Sequence, residues 1–97
     1  MASFVMLARF TEQGIKTVNQ TTKRAEAFRD MAKKMGVTVK EIYWTLGRFD
    51  VVGIFEAPDD ETATRLMLSV GSLGNVKTET LRAYSAQEMG QLLKGMK

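Results

Sequence analysis

The 97 residues include neither histidine nor cysteine. Thiolate nucleophiles, disulfides, imidazole bases and imidazole ligands to zinc or haem are therefore excluded. Any chemistry falls to carboxylates, guanidinium groups, hydroxyls and aromatic rings. Asp50 follows a glycine-containing turn, where a carboxylate serves as a base or a ligand anchor. The same position suits a turn-stabilising hydrogen bond, or an ion pair with Arg48 or Arg82. Arg9 and Arg82 can fork together onto a carboxylate or phosphate. Equally, they can pair with Asp50, Glu56 or Glu79 across a contact between chains. Tyr43 and Trp44 offer flat faces to a planar ligand, or to a core or interface. Thr45 and Thr80 place hydroxyls near them.

The elements that carry these residues follow from periodicity. Ser3 to Phe10 is apolar on both parities, the pattern of a strand covered on both sides. Thr11 to Gln20 contains Gly14 and polar residues and reads as a loop or a single turn. From Thr22 to Met35, apolar Ala25, Phe28, Ala32 and Met35 recur at helical spacing, with Thr21 or Thr22 as the cap and Gly36 after the end. Thr38 to Leu46 is rich in β-branched and aromatic residues, and Phe49 to Ala57 returns after the Gly47-Arg48 turn. The two form a hairpin that Pro58 closes. Asp59, Asp60 and Glu61 open a second helix, where acidic side chains meet the positive end of its dipole. Ala63, Leu66, Met67 and Val70 form its apolar stripe. Val76 to Tyr84 is a fourth strand, and Ser85 caps a last helix over Ala86 to Met96.

The order β-α-β-β-α-β predicts an α+β, ferredoxin-like domain spanning residues 1–97. Its four-stranded antiparallel sheet carries helices on one face, with a short helix added at the C-terminus. The other face must meet water or a partner. Alternation assigns Ile42, Trp44, Leu46, Leu81 and Ala83 to the helix side. The open face then holds Val5, Leu7, Val52 and Ile54, with Arg9, Tyr43, Thr45 and Asp50 around them. The fourth strand adds Thr78, Thr80, Arg82 and Tyr84. A bulge in the second strand would exchange Trp44 for Tyr43. Four exposed aliphatics each leave about 1.5–3 kcal/mol of burial unused, which predicts that copies of the chain shield this face for one another. Two packed sheets would enclose a partly polar space able to hold a small molecule.

Other signals resolve into structure. Asp59, Asp60 and Glu61 are consecutive, so their side chains diverge and capping explains them better than a metal site. Gly71 to Asn75 lacks a phosphate-loop lysine and follows a helix, which argues against nucleotide binding. Of the seven methionines, Met6, Met31, Met35, Met67 and Met89 fall on predicted buried faces and read as adaptable core fillers. The net charge of +3 is spread along the chain without a basic face, so no nucleic-acid partner is expected. No apolar run approaches the ~18 residues of a membrane span. The opening residues lack the basic-then-apolar pattern of a secretory leader, so the expected location is cytoplasmic. No cofactor is expected.

Tyr43-Trp44-Thr45-Leu46-Gly47-Arg48-Phe49-Asp50, Ala57-Pro58-Asp59-Asp60-Glu61 and the run from Gly71 to Ala83 resemble the GYD family. The Gly-Tyr-Asp motif reads here Gly47-Arg48-Phe49-Asp50, with one added residue and phenylalanine in place of tyrosine. The resemblance implies a ferredoxin-like domain related to the dimeric α/β-barrel proteins, and implies no settled activity. Two functions remain open. One is a homo-oligomeric binding or sensing domain. The other is a small cofactor-independent enzyme of isomerase or monooxygenase type, with Asp50 or Glu79 as acid or base and Tyr43 assisting.

Overall fold

The computed structural model describes residues 1–96. The chain runs β1 (Ala2–Phe10), α1 (Glu12–Lys16), a 3-10 turn (Val18–Gln20), α2 (Thr21–Lys34), β2 (Thr38–Trp44), β3 (Val51–Ala57), α3 (Asp60–Ser72), β4 (Val76–Ala83) and α4 (Ala86–Lys94). The strands form one antiparallel sheet in the order β2-β3-β1-β4. This is the predicted ferredoxin-like α+β arrangement.

The core lies between the sheet and helices α2 and α3. Phe4, Met6 and Ala8 of β1 share a face with Val51 and Phe55 of β3, and all are buried. Phe4 and Phe55 are registered partners whose rings stack at 5.3 Å between centroids. From above, α2 contributes Phe28 and Ala32, and α3 contributes Ala63, Leu66 and Met67. The 3.6-residue period of both helices sets these groups on one side.

Helix ends follow local chemistry in part. Asp59 caps α3 by accepting the Thr62 N–H at 2.7 Å. Ser85 and Glu88 form a reciprocal capping box at α4. The expected threonine cap of α2 is absent. Gln20 occupies that position without a side-chain bond, because the preceding 3-10 turn already delivers the chain into the helix. The stretch read as a loop or a single turn contains the five-residue α1, capped by Thr11, which accepts the Gly14 N–H.

One strand end differs from expectation. β2 ends at Trp44, and Leu46 lies in the loop, fully exposed. A bulge does occur in β2: Val39 pairs with Phe55 and Glu41 with Ile54, so Lys40 is the extra residue. It lies upstream of the aromatic pair, which leaves Trp44 on the helix side and Tyr43 on the open side.

Candidate functional site: the open face of the sheet

Helices cover one face of the sheet among the described residues, and the opposite face is built by strand register. Val5 pairs with Ile54, and Leu7 with Val52, across the two central strands. Tyr43 sits beside Val52 on β2. On the other flank, Leu81 is the partner of Val5 and Glu79 of Leu7. Tyr43 is 54% exposed and Leu81 51%. The four central aliphatics are half-buried by their neighbours alone. The result is an apolar band across all four strands.

Charged groups edge this band. Arg9 and Lys77 are registered partners at the end where β1 finishes. Glu41 and Glu79 lie on the two outer strands, and Lys40 pairs with Glu56 at 3.8 Å. The face is therefore greasy in the middle and polar around it, the layout of a protein-contact surface.

The predicted site residues divide between the two faces. Arg9 is on the open face, where its Nε donates to the Arg48 carbonyl at 3.1 Å and its guanidinium lies 4.9 Å from the Phe49 ring centroid. Thr45 closes the β2–β3 loop: its N–H donates to the Asp50 carbonyl and its hydroxyl to the Phe49 carbonyl. Asp50 binds neither Arg48 nor Arg82. Its Oδ2 accepts the Phe10 N–H at 2.8 Å. That bond occupies the carboxylate with a backbone donor, in keeping with the turn-stabilising reading.

Three candidates sit on the helix side. Trp44 donates its Nε1–H to the Thr21 hydroxyl at 2.9 Å, joining β2 to α2. The parity of β4 is the reverse of the expected one. Arg82 pairs with Phe4 and Thr80 with Met6, both core residues, so Arg82 and Thr80 face a shallow groove beside Asp60 and Thr64 of α3. The Arg82 guanidinium lies over the rings of Phe4 and Tyr84 and donates to the Ser3 carbonyl. Arg9 and Arg82 therefore cannot clamp one anion. Conversely, Leu81 and Ala83 belong to the open face.

The physical reason is register. β4 is fixed against β1 by Val76 opposite Phe10, and this pairing is preceded by Thr11 donating its N–H to the Asn75 carbonyl. No local pattern in β4 encodes that starting point. Sequence reading thus missed Leu81 and Lys77 as members of this face. The one available signal was that an outer strand with a single large aliphatic can spend it on either side.

Two carboxylates have acidity changed by the fold, and both lie at helix starts away from this face. The Thr62 N–H holds Asp59 below the usual carboxylate range, and the Ser85 N–H does the same for Glu88. Among the described residues, no group of three or more carboxylates is placed to hold a metal ion. No helix there is long and apolar enough to cross a membrane.

Residues 4–93, nearly the whole fold just described, match the GYD domain. The chain belongs to the GYD family. This GYD domain is 35% identical over 95 residues to a protein of Thermus thermophilus named glutamine synthetase and cystathionine beta-lyase binding protein. That match covers 97% of this chain and 100% of the relative. Among solved structures, the GYD domain resembles the crystal structure of TTHA0845 from the same organism, with a TM-score of 0.65 and 26% identity. The superposition covers 89% of this chain and 96% of that one.

Proposed function

We propose that this GYD domain is a non-catalytic binding protein of regulatory type, working as a self-associated unit. The observation that carries it is the apolar band formed by Val5, Leu7, Val52, Ile54, Tyr43 and Leu81 on the uncovered face. Covering it with a second copy removes the four central aliphatics from water in both chains at once. Each fully buried side chain of this size contributes about 1.5–3 kcal/mol. The space left between two such sheets is edged by Arg9, Tyr43, Glu41 and Glu79, and it suits a small polar molecule better than a lipid.

A protein partner is supported by kinship. The Thermus thermophilus relative is named for binding two enzymes, glutamine synthetase and cystathionine beta-lyase. We extend that role in kind: the paired unit docks on a metabolic enzyme through its outer surface. The composition favours binding over catalysis, because histidine and cysteine are absent and the Asp50 carboxylate is committed to Phe10.

Light scattering tests the core of the proposal. The purified chain is expected at a multiple of 10.8 kDa, and Leu7→Glu is expected to return it to one chain while keeping its circular dichroism. A wild-type monomer at tens of micromolar would remove the proposal. Titration onto purified glutamine synthetase tests the partner separately, and no complex at micromolar concentration would remove that part alone.

A further inference from the structure

The helix side of the sheet holds a cavity of about 130 Å³ between the sheet and helices α2 and α3. Its floor is Met6, Ala8 and Phe10 of β1, and its roof is Ala25, Phe28 and Met31 of α2. Ile42 and Trp44 wall one side, and Val70 and Val76 the other. Protein cores normally close such spaces to crystal-like density. Here alanines stand in both floor and roof, at Ala8 and Ala25, and neither has the reach to fill the gap. A sealed apolar cavity of about 150 Å³ takes up benzene; this one opens to solvent beside Trp44, so a guest here displaces water from an apolar lining.

The polar groups at the rim are already engaged. Arg24 donates to the Thr17 carbonyl and hydroxyl through Nη1 and to the Gly14 carbonyl through Nη2. The Thr21 hydroxyl accepts from Trp44, and Asn75 Oδ1 accepts from Gln13. No carboxylate lines the cavity. Arg24 is the one charged group in the lining, and both its terminal nitrogens are already held by neutral oxygens, so a cationic guest would meet repulsion and an anionic one would have to displace those bonds to replace the water it loses. The guest this mainly apolar lining favours is therefore neutral.

The geometry points to a binding site between α2 and the sheet for a small uncharged aromatic or branched-aliphatic molecule, about the bulk of toluene. The Trp44–Thr21 hydrogen bond forms one lip of its entrance. Trp44 is the chain's only tryptophan, so its emission reports occupancy directly. Every lining strand residue belongs to the helix side, so this site neither needs nor tests the pairing of open faces.

The experiment uses the whole protein with toluene as the probe and benzoate as the charged control. Toluene is expected to shift Trp44 emission saturably. It should raise the melting temperature by roughly 4–8 °C when free probe is about fivefold above its dissociation constant. Benzoate at equal concentration should do neither. Ala25→Leu, which fills the cavity, should raise the melting temperature without ligand and weaken toluene binding at least about tenfold, as expected when the occupied volume is lost. Ala25→Met is the second filler, with an unbranched chain that adapts to the available space. The site is refuted by no saturable response up to the solubility limit, by an equal response to benzoate, or by fillers that leave toluene binding intact. A response that fades as protein concentration rises would show a second copy's side chain as the occupant, and would equally refute it.

Discussion

The Asp50 carboxylate accepts the Phe10 backbone N–H at 2.8 Å, tying the loop between β2 and β3 to the last residue of β1. The Asp50 N–H in turn donates to the Ala8 carbonyl at 2.8 Å, so one residue holds both backbone groups at this corner. A hydrogen bond to a charged group contributes about 1.5–3 kcal/mol, and losing the acceptor strands a partly buried donor. Asp50→Ala should therefore cost about 2 kcal/mol in urea denaturation. Asp50→Asn should cost less, because its amide oxygen still accepts. Equal losses for the two variants would show that the bond contributes nothing and that the side chain acts only through its charge.

Position on the open face sets the expected hierarchy of association. Leu7 is central, between Val52 and Glu79, whereas Leu81 lies on the outer strand β4 and is 51% exposed before any pairing. Leu7→Glu should raise the dissociation constant of the paired unit more than Leu81→Glu, by at least about tenfold, as expected for a group at the dry centre against one at a wet rim. Raising salt should leave the association of the wild type nearly unchanged, since apolar burial is not screened. Sedimentation equilibrium at low and high salt measures both. A strong loss of association in salt would mean that Arg9, Lys77 and the glutamates hold the copies together instead.

The starts of α3 and α4 were legible because capping is local chemistry. Asp59 before a helical stripe and Ser85 three residues before Glu88 each carry their own partner within one turn. The register of β4 was not legible, because it is set by contacts more than 60 residues apart in sequence, including Thr11 with Gly74 and Gln13 with Asn75. Alternation around Leu81 fixes a period without fixing a phase, so one large aliphatic on an outer strand was placed on the wrong side. The same limit hid the partner of Asp50. Its residue type and turn position were visible, while its partner is a backbone amide 40 residues away. Helix α1 read as no more than a loop or a single turn because of Gly14, a poor helix former kept there by a neighbour from the far end of the chain.

The cap of α3 makes stability depend on acid in a defined direction. The Thr62 N–H lowers the Asp59 pKa in the folded chain, whereas in the unfolded chain it returns to about 3.9. A depressed folded value means that the stabilisation is complete above the unfolded pKa and is lost as pH falls through the folded one. The gap in melting temperature between the wild type and Asp59→Ala should therefore be constant at neutral pH and shrink below about pH 4. Glu88, lowered by the Ser85 N–H, acts in the same sense at α4. A gap that stays constant down to pH 2 would show that the carboxylate charge plays no part in the cap.

Gly14 reports how tightly the turn after β1 meets the turn before β4. A methyl group added there would stand 1.9 Å from the Asn75 carbonyl oxygen and 2.9 Å from its carbon. Both are backbone atoms, so relief requires the two turns to part. Parting them also lengthens the Thr11 N–H bond to the Asn75 carbonyl, now 3.1 Å, and the Thr11 hydroxyl bond to the Gly74 carbonyl. Overpacking of this kind costs about 1–3 kcal/mol, and the denaturant slope should stay constant because the surface exposed on unfolding hardly changes. Gly14→Ala should thus lower the urea midpoint with an unaltered slope. A loss below about 0.5 kcal/mol, the level of an inconsequential surface change, would show that these turns have room to spare and that β4 takes its register from the sheet alone.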